Sequence, residues 1–296
     1  MTQTTSALGA SLGGEQSALY DRLHERHFVK LARLVEDHTG IRLPPGKRTM
    51  VEGRLRKRMR ALGFHTLADY GKAIFEDGKL DEEFGHLVDC VTTNKTDFFR
   101  ELEHFNFLRE RAIPSVLESR RGGGAPMKFW SAAASIGAEA YTIAMVAGDV
   151  LGLNGNRFSV LGTDISTEVI AQAKRAVYPL SMAGVIPSSL QQRYVMRAVD
   201  DARQEVRIVP EIRRFVRFQH LNLMDDRYPV DRDFDVIFCR NVLIYFSKRT
   251  QDDVLRRLSN HLRKGGFLIL GHSESLAGNE QSALRQIAPT IFRRVA

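Results

Sequence analysis

With 296 residues, 43% hydrophobic and 26% charged, the chain has the make-up of a soluble globular protein, with room for one large domain and a smaller one. No apolar run reaches the length of a membrane span. The two cysteines, Cys90 and Cys239, fit neither a metal-binding spacing nor a disulfide framework, which suits a reducing cytosol. A net charge of +8 calls for an acidic partner, whether nucleic acid, anionic lipid or a protein surface.

Met1 to Gln16 is rich in Ser, Thr, Gly and Ala, with neither a basic start nor an apolar core, and reads as a disordered tail rather than a signal peptide. From about Leu19 to Phe107 the pattern is helical and short-linked. Helices are predicted over His24 to His38, Lys47 to Leu62, Thr66 to Glu76 and Leu80 to Asn94, the second closed by Gly63. Phe28, Leu31, Leu34 and Val35 give the first a core-facing stripe, and Val51, Leu55, Met59 and Leu62 do so for the second. Lys47, Arg54, Lys57 and Arg58 flank one side of that second stripe, and Arg56 and Arg60 the other. This basic helix reads either as a solvated face or as a docking surface. It carries no aromatic residue on which a nucleic-acid base could stack. A further helix, Leu102 to Leu117, leads to a Gly-rich break at Arg120 to Pro126.

After Met127 strands alternate with helices: strands at Lys128 to Ser131, Ser159 to Thr163, Val216 to Leu221, Phe234 to Cys239, Gly266 to Gly271 and Ile291 to Val295, with helices notably at Ala138 to Val150, Thr167 to Arg175 and Lys248 to Leu262. That rhythm predicts a parallel sheet with right-handed crossovers. Between Tyr178 and Arg217 it breaks, and Gln192 to Arg197 with Glu205 to Val209 reads as a small antiparallel insertion.

The stretch from Lys128 to Tyr141, followed by Phe158 to Asp164, carries the chemistry. It reads as a buried strand, a turn of small residues, a helix start, and a second strand ending in an acid. Small residues let the backbone approach a ligand, and a helix start offers unpaired N–H groups. An Asp at that place can accept both hydroxyls of a ribose. Such a turn also occurs for packing alone. Ala133, Ala134 and Ser135 stand where a dinucleotide fingerprint has Gly, which disfavours pyrophosphate and favours a cofactor without phosphates, such as S-adenosylmethionine.

Taken together, Thr92-Thr-Asn-Lys-Thr-Asp-Phe-Phe-Arg-Glu101, the Trp130 to Tyr141 turn, Thr163-Asp-Ile-Ser166, Leu221-Asn-Leu223, Phe238-Cys-Arg-Asn-Val-Leu-Ile-Tyr-Phe246 and Gly265-Gly-Phe-Leu-Ile-Leu-Gly-His-Ser-Glu-Ser-Leu276 resemble the bacterial chemotaxis receptor methyltransferases. The resemblance runs in order from about His27 to the C-terminus. It implies a Rossmann-like class I S-adenosylmethionine-dependent methyltransferase domain with a small antiparallel β insertion, preceded by a small all-α N-terminal domain. The expected division is a tail over 1–17, a helical domain over 18–100, a linker over 101–126 and the α/β domain over 127–296, with the insertion at about 178–217. The implied activity is methyl transfer from S-adenosyl-L-methionine, leaving S-adenosyl-L-homocysteine, to receptor glutamates as γ-glutamyl methyl esters, with no metal. A weak cofactor-binding regulator and a nucleic-acid methyltransferase are the alternatives.

The resemblance further implies that Asn94, Thr96 and Arg100 contact the cofactor from the linker, that Glu139 and Asp164 hold its methionine amino group or ribose, and that Asn222, Leu223, Arg240 and Asn241 line the rest. Tyr245 would lie near the methyl, with Arg100 and Tyr245 as positioning groups in catalysis. Each has a bland reading: helix caps for Asn94, Thr96 and Asp164, a solvated pair for Arg100 with Glu101, a core aromatic for Tyr245, and a structural role for His272. Lys47, Arg54, Lys57 and Arg58 would meet the acidic methylation helices of membrane chemoreceptors, with no nucleic acid, no membrane insertion, a cytoplasmic monomer and recruitment to receptor arrays. Two departures from the family pattern lie in the turn, Ala138 in place of the first of two acids and Ile136 in place of a small hydroxyl residue. A third, the glycine-free Arg197 to Arg203 loop, argues against docking on a receptor tail peptide.

Overall fold

The computed structural model describes residues 21–120, 125–200, 202–274 and 283–295. The tail expected over Met1 to Gln16, the centre of the Gly-rich break and the end of the Gly265 to Leu276 motif lie outside the described residues. The chain divides into two compact units, Met1–Thr92 and Thr93–Ala296, so the segment from Thr93 through the linker helix belongs to the second.

In the first unit the helices are α1 (Glu25–Thr39), α2 (Arg48–Ala61, entered through a 3-10 turn at Pro45–Lys47), α3 (Leu67–Phe75) and α4 (Leu80–Val91). Phe28, Leu31 and Val35 of α1 meet Val51, Leu55 and Met59 of α2 in one core, because apolar residues three or four positions apart share a helix face. Thr66 starts α3 by accepting from the Asp69 N–H. Leu62 follows α2 and is exposed rather than part of its stripe. Two of the basic residues of α2 turn inward: the Arg54 guanidinium donates to the carbonyls of Cys90 (3.1 Å) and Thr92 (2.7 Å), which ends α4 at Val91 instead of Asn94. Arg58 grips the buried Glu83 with two hydrogen bonds, at 2.9 and 2.7 Å, and Tyr70 donates a third at 3.0 Å. The Arg58 hydrogen bonds hold the Glu83 carboxyl below its ordinary range.

The second unit opens with a helix that runs from α5 (Leu102–Phe107) through a π turn (Leu108–Ala112) into α6 (Ile113–Ser119). Its sheet holds β1 (Met127–Ala132), β2 (Phe158–Asp164), β6 (Val216–His220), β7 (Phe234–Cys239), β8 (Leu262–Leu270), β9 (Leu284–Ala288) and β10 (Ile291–Arg294), in the order β6-β2-β1-β7-β8-β10-β9. The first five run parallel, and β10 is antiparallel to β8. β7 is buried at every position, as a parallel strand covered on both faces must be. Helices α7 (Ala138–Leu151), α8 (Thr167–Arg175) and α12 (Lys248–His261) form the main crossovers.

The insertion is a three-stranded antiparallel sheet, β3 (Val177–Pro179), β5 (Glu205–Ile208) and β4 (Val195–Arg197) in that order, with short helices α9 (Leu180–Ala183), α10 (Ser188–Tyr194) and α11 (Pro210–Arg213) around it. Gln192 to Tyr194, expected as strand, completes α10, because Leu190 and Tyr194 sit one helical turn apart and are both buried. The sequence reading also missed β9, whose burial on the sheet edge is confined to Leu284 and, in part, Ala288.

β1 has β2 on one side and β7 on the other, so the chain changes direction across the sheet at β1. In an open parallel sheet that switch point leaves a crevice beyond the carboxyl ends of the strands. The turn that enters α7 there ends in Gly137, at φ 88°, where an added Cβ would lie 2.8 Å from Phe218 and 2.9 Å from Ala173. Gly137→Ala therefore meets both left-handed strain and a packed wall, and is expected to cost about 2–4 kcal/mol in urea unfolding. Wild-type stability would show that the turn moves freely.

Candidate functional site

The carboxyl ends of four neighbouring strands bring the expected residues together. β1 leads into the turn 133–137, β2 ends in Asp164, β6 leads to Asn222 and Leu223, and β7 leads to Arg240 and Asn241. The linker segment joins them: the Asn94 carbonyl accepts from the Ser135 hydroxyl (2.9 Å) and the Arg100 carbonyl from Arg240. Thr96 lies half-buried in the same segment, and Tyr245 half-buried on the 3-10 turn Leu243–Tyr245. Of the eight non-glycine residues with positive φ among the described residues, five cluster here: Phe99, Glu101, Ala133, Ser135 and Asn241. Backbone of this kind costs about 1–3 kcal/mol per residue and persists where surrounding contacts over-determine it.

Arg240 is the centre. Its side chain is 2% exposed, with Nη1 at 2.9 Å from Glu139 and Nη2 at 3.0 Å from Glu101, and the guanidinium lies 5.4 Å over the Phe105 ring. Glu139, in the first turn of α7, also accepts from the Ser131 hydroxyl at the end of β1 (2.7 Å). The other Glu101 oxygen accepts from the Asn241 amide at 3.1 Å. Burial works to raise the Glu101 carboxyl, but the hydrogen bonds and charge of Asn241 and Arg240 outweigh it and hold the group below its ordinary range. The bland alternative of a solvated Arg100–Glu101 pair is not what forms: Glu101 pairs with Arg240, and the Arg100 guanidinium donates to the Lys95 carbonyl (2.9 Å).

Asp164 accepts from the Ser135 N–H (2.8 Å) and the Ser166 N–H (3.0 Å), tying the turn after β1 to the loop after β2. The cap of α8 is Ser166, whose hydroxyl accepts from Val169 N–H. Asn222 Oδ1 accepts from Met224 N–H, and the Leu223 carbonyl accepts from the Tyr228 hydroxyl. His104 is buried, with a pKa pushed down to about 4 by desolvation first and by the charge of Arg240 second.

Glu274, in the Gly265 to Leu276 motif, is a residue whose role only the structure shows. Its buried carboxylate accepts four backbone N–H groups: Gly271 (2.7 Å), Asn241 (3.0 Å), Val242 (2.9 Å) and Leu243 (2.7 Å). It therefore shapes the loop that carries Arg240, Asn241 and Tyr245. Burial pushes its pKa up, and the four donors oppose that shift. A side chain at Gly271 would place Cβ 2.9 Å from both the Asn241 nitrogen and the Glu274 carboxylate, so the close approach needs glycine. The signal in the sequence was a lone Glu just after a buried strand and a glycine, which periodicity does not distinguish from a surface acid.

The chemistry of this edge fits the expected cofactor. Beside the bonds they already make, the Glu139 carboxylate could take an ammonium group and the Asp164 carboxylate a vicinal diol. The small-residue turn between them lets backbone come close, and the buried Arg240 Nε has no protein partner. Of the Lys47, Arg54, Lys57 and Arg58 set, the last three lie on α2 of the helical unit and Lys47 ends the 3-10 turn before it.

Such a doubly wound sheet, with carboxylates at the ends of β2 and α7's first turn, defines an S-adenosylmethionine-dependent methyltransferase domain. Two family models match, the CheR methyltransferase SAM binding domain over residues 94–292 and the CheR methyltransferase all-alpha domain over residues 26–92. The chain is 40% identical over 257 residues to the chemotaxis protein methyltransferase of Salmonella typhimurium, covering 86% of this chain and 85% of that one. It is 39% identical over 262 residues to that of Escherichia coli (88% and 87%) and 34% identical over 268 residues to that of Borreliella burgdorferi (90% and 93%). The chain belongs to the CheR methyltransferase family. No helix among the described residues is long and apolar enough to cross a membrane.

Glu274→Gln keeps the size but presents an NH2 group to backbone donors. We expect a loss of at least about 2 kcal/mol of stability and weaker S-adenosylhomocysteine binding by calorimetry. Unchanged values for both would remove Glu274 from this supporting role.

Proposed function

We propose that the chain transfers the methyl group of S-adenosylmethionine to glutamate side chains of membrane chemoreceptors, forming glutamyl 5-O-methyl esters. The observation that carries this reading is how the ionisable groups at the cofactor edge are engaged. Glu101 and Glu139 bind Arg240, Asp164 and Glu274 bind backbone N–H groups, and burial holds His104 neutral. A site organised in this way suits an acceptor that needs no proton removed. A glutamate side chain has an ordinary pKa of about 4.3, so it reaches a neutral-pH site already as the nucleophile.

Bound S-adenosylmethionine supplies an electrophilic methyl on a positively charged sulfur, whose charge is neutralised when a carboxylate attacks in line. The task left to the protein is placement: an acceptor oxygen about 3 Å from the methyl carbon, with water excluded. Arg100 and Tyr245 serve as positioning groups. A tight bidentate clamp by Arg100 on the acceptor would stabilise the anion that the reaction consumes, so a lighter orienting contact fits better.

With labelled S-adenosylmethionine and receptor-containing membranes, we expect methyl label released by mild base. Label that survives mild base would sink the ester reading, and cofactor binding without any transfer would select a regulator. Tyr245→Phe should lower turnover by about tenfold or less, as a lost orienting contact does, without changing cofactor affinity. Abolished turnover with intact binding would show that the hydroxyl takes part in the chemistry.

The receptor partner proposed for α2 is an acidic methylation helix. Arg54 and Arg58 are engaged inside the helical unit, so their reversal would damage the fold and blur a docking test. Lys57 is exposed and provides the cleaner variant. Lys57→Glu is expected to raise the KM for receptor about three- to tenfold at low salt, less at high salt, with cofactor affinity unchanged. Unaltered receptor kinetics would make α2 a solvated face.

A further inference from the structure

Among the described residues, Glu101, His104 and His272 bring one carboxylate oxygen and two imidazole nitrogens within 4.8 Å of one another. His104 Nδ1 lies 3.4 Å and His272 Nε2 3.9 Å from the same oxygen, Glu101 Oε2. Ligands about 2.0–2.1 Å from a tetrahedral zinc ion stand about 3.3–3.4 Å apart, so the His104 spacing already fits, and the exposed His272 ring must move inward to close a set that spans up to 4.8 Å. The two rings meet edge to face, with centroids 5.2 Å apart.

The hydrogen bonds around His104 say which of its nitrogens can act. The Thr290 hydroxyl donates to the Pro289 carbonyl (2.8 Å), so its oxygen is left to accept from His104 Nε2–H at 2.9 Å. Nδ1 then carries the lone pair. That atom is buried, makes no hydrogen bond, and faces the Glu101 carboxylate from a side chain 3% exposed. A lone pair set against an anionic oxygen is an unfavourable contact that a cation between them would turn into two bonds. A ring nitrogen fixed by a hydrogen bond at the other nitrogen is also the usual state of a metal-binding histidine.

Charge in the neighbourhood permits a cation. Arg240 lies 3.0 Å from Glu101 Oε2 and opposes it, but Glu139 is paired to the same guanidinium, and Glu103 stands 3.5 Å from His272 Nε2. Three carboxylates against one guanidinium leave the surroundings negative. His272 is half-exposed, which provides an entry path, and Glu103 or water can complete the coordination.

We propose that Glu101 Oε2, His104 Nδ1 and His272 Nε2 form a binding site for one divalent zinc ion. Two imidazoles with one carboxylate suit zinc over magnesium or calcium, which prefer all-oxygen sets. The site joins the start of α5 to the loop after β8. It shares Glu101 with Arg240, so occupancy is coupled to the cofactor edge.

The test uses the full, tag-free chain, stripped with chelator and dialysed against zinc chloride, with bound metal measured by mass spectrometry. Wild type and a His65→Ala control, whose exposed histidine belongs to the helical unit, are expected to hold one zinc per chain. His272→Ala and His104→Gln should bind at least about tenfold more weakly, since even outer-sphere partners of a ligand are worth that much. Cobalt(II) in place of zinc should give visible absorption bands of tetrahedral intensity in wild type and not in His272→Ala. Should His104→Gln fail to fold, His272→Ala decides alone, because its half-exposed ring can be removed without opening the core. No stoichiometric uptake by wild type, or uptake equal in His272→Ala and His65→Ala, overturns the proposal.

Discussion

The second unit depends on keeping one positive charge out of water. Arg240 follows directly on β7, and its side chain is almost wholly buried. An ion moved from water into protein loses several kcal/mol of hydration, recovered only if its partners are close and well aimed. Those partners come from separate elements: Glu139 from the first turn of α7, Glu101 and the Arg100 carbonyl from the linker, and the Phe105 face from α5. One guanidinium thus sets the positions of the linker, the first helix after the turn and the end of a central strand. Ser131 extends the tie to β1 through Glu139. Removing either carboxylate would leave a buried charge half-compensated, so the arrangement is held as a unit.

Glu274 performs the complementary task on the backbone. A loop that leaves a strand with Asn241 at φ 58° exposes several N–H groups inside the protein, where each unpaired donor costs roughly 1–3 kcal/mol. One carboxylate takes up three of them, together with that of Gly271. The loop can then keep a strained course without water. Asp164 does similar work across the turn, joining Ser135 to Ser166. The two loops at the carboxyl ends of β1 and β2 and the loop after β7 are therefore each tied by carboxylates that take up their backbone donors.

These ties also explain what the sequence disclosed. The strand-helix alternation, the turn after β1 and the acid at the end of β2 have short-range signatures, and each stands where its residues predicted. Glu101, His104, His272 and Glu274 lacked a signature of that kind, because each acts on a partner far along the chain; Glu101 and His272 are 171 positions apart. The boundaries that shifted did so for tertiary reasons. α4 stops at Val91 because Arg54 reaches over from α2 to take the carbonyls of Cys90 and Thr92. Residues 192–194 are helical because Tyr194 continues the buried face begun by Leu190. β9 escaped notice since an edge strand with one face in water needs few apolar residues.

The arginines carry the same point into function. Composition presents them as surplus positive charge, yet several of them act first as multi-pronged donors inside the protein. Arg54 binds two carbonyls, Arg58 binds Glu83, Arg240 binds two carboxylates, and Arg120 with Arg263 satisfies the buried Asp235. A planar guanidinium does this better than an ammonium because its donors are fixed in a fork. Lys57, the one lysine of α2, is exposed and carries a single flexible point charge, which is less suited to such ties. On that helix Arg54 and Arg58 hold the chain to its neighbours, a task their forked donors fit and an ammonium does not.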